Sequence, residues 1–348
     1  MGKSKYAYHV ATSMKERRDM MRKYEKPKVV LSQCLEHGNC RYDGSKIKSP
    51  FIKSLKEYVE FILVCPEVEV GLGVPRNALR MIEKDEQGEK LVFSNNGEEI
   101  TEKMLDFSER FINSLDKNQI DGWILKSRSP SCGIKDVKVY KSFGKAQTLP
   151  KKTMGVFARK VYEQFGNIAI EDEGRLMNFN IREHFLTRVY TTTRFREVKN
   201  KKCMGELVKF HSQHKYLLMS YHQKNLKILG SIVANKEYKK IEDLLEKYED
   251  VLLDTLKNPI KYTNNINMLL HLFGYFSKYL NSNEKAFFLD HIEAYRNKKI
   301  PFSVPLSIIQ SWVIRFENAY LMEQMIFYPY PQELIEVTDS GKGRESIL

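Results

Sequence analysis

The sequence predicts an α/β N-terminal domain with a mainly parallel sheet, followed by an all-α helical domain. Three observations predict it. Short, continuous apolar runs recur in the first half, at Val29-Val30-Leu31, Phe61-Ile62-Leu63-Val64 and Gly122-Trp123-Ile124-Leu125. Runs of this kind suit strands buried on both faces of a parallel sheet. Between the second and third runs, residues 102–115 place Met104, Leu105, Phe107, Phe111, Ile112 and Leu115 at the spacing of an amphipathic helix. From Ile181 onward one helical pattern follows another.

The elements follow in order. Residues 1–26 read as a charged leader with a short helix at 15–24. Residues 27–177 form the first domain, where a helix at 154–165 and a last strand at Ile168-Ala169-Ile170 follow the third apolar run. Strand, helix and strand again make an α/β unit. Residues 178–204 read as a connector. Residues 205–330 form the helical domain, with apolar periodicity over 206–233, 241–256, 266–280, 284–295 and 307–328. No fixed-period repeat marks a solenoid. Residues 331–348 read as a tail, polar and Gly-bearing at its end and expected to be mobile.

The chain has 348 residues, of which 42% are hydrophobic, enough for real cores and too many for a disordered chain. Its formal net charge of +13 favours polyanions, above all nucleic acid, through counterion release. No apolar run reaches the roughly 18 residues of a membrane span, and no signal-peptide core opens the chain. A cytoplasmic, reducing location is expected. There, five cysteines suggest ligands or catalysis rather than disulfides.

Three of these cysteines occupy one kind of place. Cys34 follows the first predicted strand, Cys65 the second, and Cys132 the third after a short loop. Loops beyond the carboxyl ends of parallel strands line a common crevice where ligands bind. A single such cysteine is more often a small core residue; three at matching positions point to a metal or cluster. Cys40 is a possible fourth ligand, and Cys203, among lysines, reads as an incidental thiol. Structural zinc takes four ligands and catalytic zinc adds His or carboxylate. A four-iron cluster takes four cysteines, so one held by three keeps an open, sulfur-seeking iron. Acid/base groups lie close by: Glu67 in Cys65-Pro66-Glu67, and Ser129 and Ser131 in Ser129-Pro130-Ser131-Cys132-Gly133. Arg76, in the same loop as Gly71 and Gly73, can pair with an anion. Each also has a plainer reading, as a solvated carboxylate or a structural salt bridge.

These segments, together with Leu31-Ser32-Gln33-Cys34 and Cys40-Arg41-Tyr42-Asp43-Gly44, resemble the thiouracil desulfidase family over about residues 28–176. The resemblance implies a [4Fe–4S] cluster on three cysteines, matched by Cys34, Cys65 and Cys132. It implies an acid/base glutamate at Glu67 and an active-site serine at Ser129 or Ser131, Ser129 being preferred. Cys40 matches a recurrent cysteine outside the ligand set. One departure is Leu72, which separates Gly71 and Gly73 where the family pairs its glycines.

The second half, with Arg182-Glu183-His184-Phe185 and Phe210-His211-Ser212-Gln213-His214-Lys215-Tyr216, looks like the helical domain of two-domain members that resemble tRNA 4-thiouridine desulfidases. A tRNA partner is therefore expected. Arg194, Arg196, Lys199, Lys201 and Lys202 form a basic run. Lys209, His211, His214, Lys215, Tyr216, Lys224 and Lys227 are spaced to give a basic, aromatic helix face. Lys209, His211 and Lys215 are the candidate RNA contacts, although charge runs are often only solvated faces. Two other readings stand beside this one. One is a desulfidase of free thiouracil or thionucleoside. The other is a non-enzymatic RNA-binding or redox-sensing protein with a structural cluster that takes Cys40 as its fourth ligand.

Overall fold

The computed structural model describes residues 24–84, 88–235 and 239–335. The helix expected at 15–24 and the far end of the tail lie outside them. Among the described residues the strands are β1 (Lys28–Ser32), β2 (Glu60–Val64), β3 (Leu79–Lys84), β4 (Gly88–Phe93), β5 (Gly122–Leu125), β6 (Val137–Tyr140), β7 (Thr148–Thr153) and β8 (Ala169–Asp172). The N-terminal helices are α1 (Pro50–Leu55), α2 (Pro66–Glu69), α3 (Thr101–Ser114) and α4 (Val156–Phe165).

The main sheet has the order β2-β1-β5-β8 and is parallel throughout. Both faces are covered over the central strands β1 and β5, which explains their unbroken apolar runs, whereas β2 lies at the edge and leaves Leu63 exposed. In β1, Val30 enters a core with Trp123, Phe157 and Met104, while Val29 and Leu31 enter a second core with Phe51, Ile52 and Phe185. A second sheet, with the order β4-β3-β6-β7, was not legible in the sequence. Its β7 reads Thr-Leu-Pro-Lys-Lys-Thr and is largely exposed, so it carries no apolar run. It closes over the first core through Met81, Leu91, Val137 and Val139.

The helical region begins with α5 (Phe179–Lys201), a helix of 23 residues where the sequence suggested a connector. Its start is capped by Asn178, whose side chain accepts from Ile181 N at 3.1 Å. Phe185, Leu186, Val189 and Tyr190 pack on the main sheet, and Phe195 and Val198 pack on the helices that follow. Apolar residues on several sides blur the periodicity that would have marked a helix.

Next come α6 (Met204–Tyr221), α7 (Gln223–Ala234), α8 (Ile241–Leu256), α9 (Tyr262–Gly274), α10 (Ser282–Arg296), α11 (Ser303–Arg315) and α12 (Ala319–Met322). The expected helix at 206–233 is two helices, broken at His222, whose ring accepts from Asn225 N and caps α7. The expected helix at 307–328 ends at Arg315; Glu317 has φ +49°, and Asn318 then caps α12. The tail assignment also needs correction over 331–335. Leu334 is 2% exposed and, with Tyr330, packs beneath the main sheet. No helix among the described residues is long and apolar enough to cross a membrane.

One buried ion pair ties the two regions together. Arg196 of α5 grips Asp121, just ahead of β5, with Nε to Oδ1 at 3.1 Å and Nη2 to Oδ2 at 2.9 Å. The same carboxylate accepts from Lys28 N, at the start of β1. Breaking a buried pair from one side leaves an uncompensated charge, at a cost of about 3–5 kcal/mol. Asp121→Ala should therefore lower unfolding stability by about that amount in a denaturant titration, and adding Arg196→Met should recover most of the loss. A loss under about 1 kcal/mol, as for an exposed pair, would show that this pair does not hold the regions together.

Candidate active site at the sheet edge

The site lies at the carboxyl edge of the main sheet. Ser32 is level with Val64, and Leu31 with Ile124, so the loops after β1, β2 and β5 leave at one height. Gln33 N donates to Val64 O at 2.8 Å, and Lys126 N donates to the Ser32 hydroxyl at 3.0 Å. The loops that carry Cys34, Cys65 and Cys132 thus leave the same edge of the sheet. Cys40 joins them. Its thiol hydrogen-bonds to those of Cys34 and Cys65. Ser32 hydrogen-bonds the Cys132 thiol. Cys203 lies apart and exposed, at the N-terminal end of α6.

Cys40, Cys65 and Cys132 are each 7% exposed or less, and all five cysteines are free thiols. The hydrogen bond to Cys34 pushes the Cys40 thiol up to about 11. The bond to Cys40, and then burial, raise Cys65 strongly; burial raises Cys132, with Ser32 opposing. These three thiols are therefore protonated at neutral pH, and a thiolate-ligated group would displace their protons on entry. The donor set fits such a group: buried sulfurs at one edge, bonded to one another, to a serine and to a backbone carbonyl. Among the described residues no group of three or more His, Cys, Asp or Glu is arranged to hold a single metal ion, so the fit rests on the chemistry of the donors.

Beside the thiols stands a carboxylate network. Cys65 and Pro66 open the short helix α2, which puts Glu67 in its first turn. Arg76 donates to Glu67 Oε2 from Nε at 2.9 Å and from Nη2 at 2.6 Å. The same guanidinium holds Cys40 O at 3.0 Å and Gly73 O at 3.0 Å. Its side chain is 4% exposed, so Arg76 serves Glu67 and the Cys40 loop rather than standing free for an anion. Ser131 Oγ donates to the other carboxylate oxygen, Oε1, at 2.9 Å. Ser129 plays a different part: its hydroxyl accepts from Ser131 N at 3.2 Å and Cys132 N at 3.1 Å, folding the loop. The geometry thus puts Ser131, and not the preferred Ser129, in contact with Glu67. Gly71 and Gly73, with Leu72 between them, both have positive φ, the conformation glycine permits.

The start of α4 fixes the loop 129–133. Gly155 N, Val156 N and Ala158 N donate to the carbonyls of Gly133, Pro130 and Ser131. Sequence reading missed four residues that build this edge: Ser32, Gly155 and the Lys126–Glu173 pair, 2.6 Å apart. Ser32, two residues before Cys34 on the strand the cysteine follows, was the only one of them with a usable signal.

The helical-domain candidates fare unequally. Arg196 is in the buried pair, and Lys199, Lys201 and Lys202 are partnered by Glu249, Glu206 and Glu242. His211 Nδ1 bonds Tyr248 Oη at 3.0 Å, and burial with Lys215 nearby holds it below its ordinary range. His214 is buried, which pushes it down to about 3. Both are neutral near pH 7 and offer no cationic contact. Lys209, Lys224 and Lys227 are exposed, and Lys215 is half-buried.

A parallel-sheet edge here carries buried thiols and a positioned carboxylate. Residues 29–173 match the family described as 2-thiouracil desulfurase. Residues 215–331 match a family described as a protein of unknown function, DUF1722. The chain is 27% identical over 138 residues to the uncharacterized protein YbgA of Escherichia coli K12, covering 39% of this chain and 81% of that one. It is 29% identical over 109 residues to the uncharacterized protein YbbK of Bacillus subtilis 168, covering 30% of this chain and 72% of that one. A solved structure described as the [4Fe-4S]-dependent thiouracil desulfidase TudS is 25% identical, with 43% of this chain and 93% of that chain covered and a TM-score of 0.35.

Gly155 supplies a test of the loop. A Cβ there would fall 2.4 Å from Ser131 O, closer than the backbone can accept. Gly155→Ala should destabilise the chain by about 1–3 kcal/mol, as overpacking does, and should separate Ser131 from Glu67 in a crystal structure of the variant. An unchanged melting temperature and an intact Ser131–Glu67 bond would show that α4 does not fix the loop.

Proposed function

We propose that this chain is a non-redox desulfidase of thiolated pyrimidines, acting on 4-thiouridine in tRNA, with a [4Fe–4S] cluster held by Cys34, Cys65 and Cys132. One observation carries the reading: buried thiols converge with the Glu67–Ser131–Arg76 network at one sheet edge, within the family-matched segment. Cys34, Cys65 and Cys132, as thiolates, would hold the cluster, which would supply Lewis-acid chemistry toward sulfur.

The chain's own residues supply proton transfer and position. The overall change is hydrolytic: thiocarbonyl plus water gives carbonyl plus hydrogen sulfide. Arg76 anchors Glu67 Oε2, which leaves Oε1, shared with the Ser131 hydroxyl, to take the proton of the incoming water. The same carboxyl then returns a proton to the departing sulfur. Arg76 also ties the carbonyls of Cys40 and Gly73 to that carboxylate, so the two loops keep one spacing. A tRNA substrate is supported by the formal charge of +13 and by the exposed Lys209, Lys224 and Lys227.

Reconstituted protein should remove the thiocarbonyl absorbance of thiolated tRNA. Glu67→Gln should keep the iron–sulfur spectrum and lose about 10²–10⁴ in turnover, the usual worth of positioned proton transfer. Ser131→Ala should harm turnover more than Ser129→Ala, whose effect should appear mainly in stability. Full activity in Glu67→Gln would remove Glu67 from the mechanism.

The position of Cys40 favours a second reading, a structural cluster on four thiols without turnover. On the first reading, Cys40→Ser leaves the iron content and visible spectrum of the loaded protein unchanged. Loss of the cluster in that variant would favour the second.

A further inference from the structure

Outside the sheet edge, the helical region carries a cluster of exposed rings that packing does not require. Tyr275 follows α9 and Tyr320 lies on α12; their rings stack at 6.3 Å and 25°. Tyr216 of α6 buttresses both from beneath, edge-on to each, with its hydroxyl 2.9 Å from that of Tyr275. One turn beyond Tyr275, Tyr279 lies against Phe316 at 5.4 Å and 32°. Tyr216 is buried, whereas Tyr275, Tyr320 and Tyr279 are 37, 36 and 56% exposed.

Cations edge these rings. Lys278 Nζ lies 4.8 Å from the Tyr279 centroid, Arg315 Cζ 5.0 Å from that of Phe316, and Lys215 Nζ 5.6 Å from that of Tyr216. Arg315 is shared with Glu284, so Lys215 and Lys278 are the cations left for a ligand. Rings with open faces beside ammonium groups match a strand that presents a flat base and a phosphate at each step. Double-stranded nucleic acid keeps its bases stacked inside and offers these rings nothing.

We propose that the Tyr275–Tyr320 and Tyr279–Phe316 pairs form a stacking platform for unpaired bases of RNA, with Lys215 and Lys278 on the adjoining phosphates. The proposal rests on the reading of the substrate as RNA-borne and names where the helical region would hold it. The buried Tyr216 and the capped α12 fix the rings before binding, so little side-chain entropy is lost on contact.

The test uses the full chain and two fluorescently labelled, unmodified RNAs of equal length: a stem-loop with an unpaired loop and a blunt duplex. Binding is read by anisotropy at fixed salt. Tyr279→Ser with Tyr320→Ser should weaken stem-loop binding about tenfold or more, the scale of a lost base–ring stack, and leave the duplex unaffected. Tyr279→Phe with Tyr320→Phe, which keeps the rings, should bind the stem-loop as the wild type does. Tyr279→Ser alone, at the most exposed ring, keeps the test valid should the Tyr320 change disturb folding. Turnover of free 4-thiouridine should not change in any of these variants.

Wild-type stem-loop affinity in the serine variants would overturn the platform and leave the RNA-borne reading standing. No RNA binding by the wild type, with free 4-thiouridine still desulfurated, would overturn both. A wild-type dimer that becomes monomeric in the serine variants, read by sedimentation, would make the rings a protein interface and overturn the platform.

Discussion

The register of β1 governs the rest of the structure. This strand bonds in parallel to β2 on one side and β5 on the other, from Lys28 opposite Glu60 to Ser32 opposite Val64. A slip of one residue would turn every side chain to the other face. Val30 would leave the core of Trp123 and Phe157, and Val29 and Leu31 would leave the core of Phe51 and Phe185. Because both faces are buried, both cores oppose the slip. The same register sets the height at which the loops leave, and hence where the thiols meet.

The second face of that sheet is closed by the chain's own C-terminal half. Phe185, Leu186, Val189 and Tyr190 of α5 cover it, and Tyr330 and Leu334 return to it after the whole helical array. Arg196 clamps Asp121 at the opposite end of the sheet from the thiols, where Asp121 also holds Lys28 N. The α/β region and the helical region are therefore joined by shared core. Surfaces of the helical region consequently have a fixed relation to the sheet edge, as a substrate-holding region would need.

How much was legible in the sequence depended on how many neighbours a residue answers to. Strands buried on both faces declared themselves, as did the helix at 102–115, which buries one side. The second sheet was hidden because its exposed strand carries Pro150, Lys151 and Lys152. Helix α5, buried on several sides at once, read as the start of the helical run but was assigned to a connector rather than to an element of its own. At the site, cysteines following strands were enough to place Cys34, Cys65 and Cys132, since topology carries them to one edge. The roles of Ser129 and Ser131 could not be separated: two residues apart, they differ only in direction, one turned to its own loop and the other to Glu67. Nor could spacing show that His211 and His214 are occupied by Tyr248 and by the Phe210 carbonyl.

That difference in direction also explains how the backbone around the site is satisfied. The loop 129–133 bends sharply beside buried sulfur, where an unpaired backbone group would be costly. The carbonyls of Pro130, Ser131 and Gly133 are taken by the amides at the start of α4, and the amides of Ser131 and Cys132 by the Ser129 hydroxyl. On the facing side Arg76 takes the carbonyls of Cys40 and Gly73. With these backbone groups satisfied inside the protein, the polar side chains left at this edge are the Ser32 hydroxyl beside Cys132 and the Ser131 hydroxyl on one oxygen of Glu67. The helix terminus that elsewhere would attract an anion is here spent on the loop, so the polar selectivity of the site falls to Glu67 and Ser131.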